Sequence, residues 1–208
     1  MMLNLWMTVV VAAAVLGQAS PQPPADDFNR LTPEEIKSGI EARHPAAYYV
    51  LAGKLFGNGA HDEAVFWFYA GQLRYRFHLA ANRDLPASGD PALFGSLSEV
   101  LGRPINEYAF GDLAQLTDTI DKVLAWDEQS SNGFTSKTAN AAAWKEVRDG
   151  LAKMREYVQA NGDQIRAERK KNGLENRKPS GPGRVTRTTR PEPSRAHLSA
   201  CLGWLRIA

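Results

Sequence analysis

The stretch from residue 62 to residue 81 (DEAVFWFYAGQLRYRFHLAA) constrains this chain more than any other. At 3.6 residues per turn it places apolar side chains almost all round, so a helix there cannot lie on a surface and must be buried on two sides. The rest of the chain offers the elements that can cover it, and they read as helices as well. In LTPEEI (31–36), Thr32 is an N-cap, Pro33 takes the first helical position, Glu35 closes a capping box and Leu31 can staple against Ile36. That predicts a helix from 33 to about 43. Pro45 opens a second helix that ends near Phe56, where Gly57-Asn58-Gly59 turns the chain into the third. Asp90-Pro91 caps a fourth, which Gly102-Arg103-Pro104 is expected to stop.

A fifth helix, 112 to about 128, puts Leu113, Leu116, Ile120, Val123 and Leu124 on one face. A sixth, from 138 or 139 to 160, repeats the pattern with Trp144, Val147, Leu151, Met154 and Val158. Asn161-Gly162 ends it, and a basic helix follows from 163 to about 171, with Gly173 beyond. No stretch alternates apolar and polar residues with the β-branched enrichment of a strand. The expected fold class is all-α, a compact bundle of about six or seven helices over residues 31–173. With 208 residues, 43% of them hydrophobic, the chain can bury a real core. Cys201 is the single cysteine, which excludes an intramolecular disulfide and the usual thiolate metal sites, so packing must supply the stability.

The two ends differ from this body. Residues 5–16 (LWMTVVVAAAVL) form an apolar run too short to span a bilayer, followed by the small residues Gly17 and Ala19 and a Pro-rich stretch. This reads as a signal peptide over 1–19, cut after Ala19, and then a Pro-rich linker at 20–30. The protein is therefore expected in the periplasm or outside the cell. A buried first helix or a retained anchor is the other reading of the same run. Residues 1–165 carry 14 Lys or Arg against 20 Asp or Glu, a net charge of −6, whereas residues 166–208 carry 11 against three. The modest overall charge of +2 thus hides an acidic body and a basic tail. Residues 178–195 (KPSGPGRVTRTTRPEPSR) have almost no apolar side chain to offset the entropy of ordering, and 174–208 is expected to be a largely disordered tail. Its final residues regain Leu198, Leu202, Trp204, Leu205 and Ile207.

Tyr48, Leu51, Ala52 and Leu55 on the second helix, followed by Ala64, Phe68 and Gly71 on the third, resemble one tetratricopeptide repeat, over about residues 45–78. The steric logic is that Ala52, Ala64 and Gly71 let two antiparallel helices approach while Tyr48, Leu51, Leu55 and Phe68 fill the space between them. Arg76 stands where that family has proline, and Leu55 replaces its usual tyrosine. No second unit follows in register, so the resemblance implies one helical hairpin inside a compact domain, with a concave peptide groove if the likeness extends to function.

Nine of the 19 aromatic residues fall between Tyr48 and Phe77, and Phe66-Trp67-Phe68-Tyr69 points rings in every direction. Burial in a core that wraps the helix is one fate for them; a partner surface is the other. Tyr49, Trp67, Tyr69 and Arg76 are the expected partner contacts. Arg74 and Arg76 lie inside the apolar stretch, and a buried one must meet a carboxylate, with Glu99, Glu107 and Asp112 as candidates. No motif announces catalysis. His61, Glu63 and His44 are the best set available for a hydrolase of envelope material, but their spacing fits no helical ligand pattern, and neither cofactor nor metal is expected. Trp126-Asp127-Glu128 reads as an ordinary helix boundary. Cations in the tail raise nucleic acid, yet export and the lack of stacking aromatics before Trp204 argue against it, leaving weak contact with anionic envelope surfaces. The expectation is an exported protein-binding module, an envelope adaptor or immunity-type inhibitor, that recognises another protein.

Overall fold

The computed structural model describes residues 28–177. The expected signal peptide, most of the linker and the tail from 178 onward lie outside the described residues. Within them the chain forms seven α-helices and one 3-10 turn, with no strand. The helices are α1 (Pro33–Lys37), α2 (Ala46–Gly57), α3 (His61–Ala81), α4 (Asp90–Ala109), α5 (Leu113–Gln129), α6 (Ala141–Ala160) and α7 (Gly162–Lys171). The fold is the expected all-α bundle.

The capping box forms as its residues dictate. The Thr32 backbone N–H donates to Glu35 Oε2 at 2.7 Å, and the Glu35 N–H donates back to Thr32 Oγ1 at 3.3 Å. The helix it starts is shorter than expected. Gly39 adopts φ 70°, a left-handed conformation that ends α1 and leads into a 3-10 turn at Ile40–Ala42. A second boundary moves the other way, since α4 runs through Pro104 to Ala109. Proline removes the bond that the Val100 carbonyl would accept. Among the described residues no element covers Val100 or Pro104, so that carbonyl is not locked into the core.

α3 is the axis of the bundle. It touches α2, α4, α5 and α6, which explains why its apolar residues encircle it. The α2–α3 hairpin turns through Gly59, whose φ of 82° suits glycine. The close approach of its two helices is visible at Gly71, where an added Cβ would lie 2.8 Å from the Tyr48 Cβ and 3.3 Å from the Tyr49 ring. Tyr48, Tyr49, Phe68 and Tyr75 are fully buried around this crossing. Buried tyrosine hydroxyls find partners on α4. Tyr69 donates to Asn106 Oδ1 at 2.9 Å, and the Tyr49 hydroxyl pairs with Ser98 Oγ at 3.3 Å.

The seated chain also extends past the expected start of the tail. The Arg177 N–H donates to the Gly111 carbonyl at 2.7 Å, and its guanidinium lies 3.7 Å from the Tyr108 ring centroid.

Candidate functional site

Of the four expected contact residues, two belong to the core. Tyr49 is 0% exposed and Tyr69 3% exposed, so neither ring has surface to offer. Tyr69 stands on the central α3, which other helices cover on nearly every side, and Tyr49 on α2 faces α3, packing edge-on to Phe68 and Tyr75. Trp67 and Arg76 are half-buried. Nine residues apart, they lie two and a half turns from one another, on opposite faces of α3. They do not form one patch.

Trp67 belongs to an aromatic cluster against α5. Its ring meets Phe66 at 5.1 Å and Trp126 at 5.8 Å, both edge to face, and its indole N–H donates to Glu63 Oε1 at 3.2 Å. Glu63 also pairs with Lys37 at 2.5 Å. The hydrogen bond from Lys37 is the main reason its carboxyl is held below the usual range. His61 packs between Phe56 and Tyr108, with centroids at 4.5 and 4.8 Å. His44 precedes α2, while His61 follows it. The 12 residues of α2 separate them by about 18 Å, so the three candidates for hydrolysis do not converge.

Arg76 opens onto a groove of about 450 Å³ between α3, α4 and α6. Leu79, Phe94, Val147 and Gly150 supply apolar lining, with Glu146 and Lys153 from α6. The Arg76 guanidinium stands 5.2 Å from the Phe94 ring centroid, and Nε donates to Gln72 Oε1 at 3.0 Å. Burial lowers its pKa to about 10, still a full cation near neutrality. Glu146 lies 3.9 Å from Arg83 across the rim. The groove can therefore hold an apolar side chain and, next to it, an anionic group.

Two polar clusters that sequence reasoning missed stand on the α3 turns flanking Tyr75 and Arg76. In the first, Asp90 joins two histidines. His44 Nε2 lies 3.0 Å from Oδ1 and His78 Nε2 lies 3.0 Å from Oδ2, while the Tyr75 hydroxyl donates to Oδ1 at 3.1 Å. The remaining nitrogens are engaged too. His44 Nδ1 accepts from the Ala46 N–H at 3.1 Å, and His78 Nδ1 pairs with Thr135 Oγ1 at 3.1 Å. Phe134 sits edge-on to both imidazoles. Burial opposes ionisation of Asp90, but the adjoining imidazoles and the bonds from His78 and Tyr75 outweigh it and keep the carboxyl low. Burial also lowers the pKa of His44, against the pull of Asp90. Asp90 was expected only as a helix cap. Chemically this cluster joins the loop after α5 to α3 and α4, and its imidazole nitrogens are already committed.

In the second cluster Arg74, 2% exposed, meets Asp127, 1% exposed, with Nε 3.0 Å from Oδ1. The carboxylate partner is thus Asp127 rather than Glu99, Glu107 or Asp112. Arg148 Nη1 and Trp144 Nε1 both donate to Asp127 Oδ2 at 2.8 Å. Lys137 donates to the Asp127 and Ser130 carbonyls, and Arg74 Nη2 donates to Ser130 Oγ at 2.5 Å. A signal for Asp127 was present: it continues the apolar spacing of α5 one turn beyond Val123. A carboxylate on a buried face needs a cation opposite.

Among the described residues no group of three or more His, Cys, Asp or Glu is arranged to hold a metal ion, and no helix is long and apolar enough to cross a membrane. Compared with known proteins, the chain matches no family model, no curated protein and no solved structure.

Proposed function

We propose that this chain is an exported helical protein-binding module, built on a tetratricopeptide-like α2–α3 hairpin, that acts without catalysis in the periplasm or outside the cell. An envelope adaptor and an immunity-type inhibitor are the two forms this reading takes. The observation that carries it is the α3–α4–α6 groove, in which the half-buried cation Arg76 stands beside apolar Leu79, Phe94 and Val147. Such a site suits a partner residue pair, one apolar and one carboxylate, presented by another protein. The dispersed placement of His44, His61 and Glu63 supports binding over hydrolysis, which needs acid and base within reach of one substrate atom.

The test is affinity isolation of the tagged chain from envelope fractions, comparing wild type with Arg76→Gln/Lys153→Glu and with Asp118→Ala on the far face of α5. A partner retained by wild type and Asp118→Ala, and reduced at least about tenfold by the groove variant, is the expected result, since truncating an interface charge pair costs 2–5 kcal/mol. Equal recovery with all three, or hydrolysis of a cell-wall substrate by the purified chain, overturns the reading.

A further inference from the structure

The outer side of α4 is apolar where it should be polar. Among the described residues three large hydrophobic side chains are exposed, and two of them, Leu93 at 42% and Val100 at 70%, are on this helix. Leu97, half-buried, and Pro104, exposed, complete the set. The steps 93, 97, 100, 104 are four, three and four residues, which lines all four up along one seam about 16 Å long. The core-facing side of α4 is a different one, made by Ser98, Gly102, Ile105 and Ala109. Ser96 and Arg103 border the seam and are exposed. A seam with this spacing is the surface that a second helix covers in paired helices.

The chain carries a segment with the matching pattern. Leu198, Leu202 and Leu205 are spaced by four and three residues, with Trp204 and Ile207 beside them and Arg195 and Arg206 at either side. Its tether starts close to the seam, because Arg177 is fastened to Gly111 and Tyr108 at the C-terminal end of α4. Residues 178–197 can span up to about 65 Å, against about 30 Å for the whole of α4, so every part of the seam is within reach. Tethering makes the encounter intramolecular, at an effective concentration on the order of millimolar. The flanking arginines suit a body that is net acidic, with 14 Lys or Arg against 20 Asp or Glu over residues 1–165.

We propose that residues 198–207 dock along the Leu93–Leu97–Val100–Pro104 seam of α4, so that the chain covers its own apolar stripe. The occupant is this chain's own segment, and no groove-lining residue is part of the seam, so this inference stands apart from the partner-binding reading. Cys201, the sole cysteine, lies next to Leu202 and serves as the reporter. Ser96→Cys and Arg103→Cys place a second thiol on the seam border, and Gln164→Cys places one on the exposed side of α7 as the control. In the full purified chain under mild oxidation, a disulfide within one chain should form with a border thiol at least about ten times faster than with the control, as an effective concentration set by docking requires. Val100→Asp on the seam and Leu202→Asp in the segment should each return the border rate to the control rate. The second change lies outside the body and leaves its fold untouched. Equal rates for border and control thiols, border rates unmoved by both Asp variants, or disulfides formed only between two copies would overturn the proposal, the last result assigning the seam to a second copy.

Discussion

Replacing Asp127 by Asn keeps the shape of the side chain and removes the one negative charge at the centre of a buried cationic cluster. Each neighbour loses a different amount. Arg148 keeps Glu128 at 2.7 Å, and Lys137 keeps its two backbone carbonyls. Arg74 keeps only Ser130 and the Trp126 ring, 4.8 Å away, and at 2% exposure it has no water to turn to. Breaking a buried pair from one side costs about 3–5 kcal/mol. That is a large share of the 5–15 kcal/mol typical of a whole domain. Arg74→Met removes the other partner but leaves Asp127 with Arg148, Lys137 and Trp144, so its cost should be only about 1–3 kcal/mol. The double variant buries neither charge alone and should be less destabilised than the sum of the singles by about 1–3 kcal/mol. Urea unfolding of all four proteins, followed by tryptophan fluorescence, measures the cycle. Singles of equal cost, or additivity within about 0.5 kcal/mol, would show that Asp127 is not what neutralises Arg74.

His44 should make stability depend on pH. Its folded pKa lies below the ordinary 6.5, so the unfolded chain binds more protons as pH falls through 6.5, and the stabilisation present above that value is lost on acidification. Thermal melts of wild type should drop from pH 7 downward, and His44→Gln should flatten the decline; an unchanged slope refutes the assignment. Gly71→Ala should destabilise by about 1–2 kcal/mol in denaturant titration, because overpacking against the Tyr48 Cβ exceeds the helix-propensity gain of alanine. Pro104→Ala should do the opposite and stabilise by about 1–3 kcal/mol, since it restores the bond to the Val100 carbonyl. A loss of stability there would mean that the proline holds a shape α4 needs.

Local chemistry wrote the helices into the sequence. Thr32 and Glu35 cap α1 across a single turn, Asp112 caps α5 by accepting from the Gln115 N–H at 3.1 Å, and the apolar ring around α3 announces a helix surrounded by others. Boundaries failed where a local signal met an exception, a helix face that no described element covers at Pro104 and a left-handed residue at Gly39. The candidate site was less legible. Sequence spacing could require a carboxylate for Arg74 without saying that it stands 53 residues away, or that His44, His78 and Asp90 would meet from three separate elements. Nor could it assign Tyr49 and Tyr69 to the core and put Trp67 and Arg76 on opposite faces. Capping and periodicity act over one or two turns, which the order of residues carries directly. Which rings are covered, which charges meet and which face of α4 stays bare depend on how rods pack around α3, and only the tertiary arrangement settles those distances.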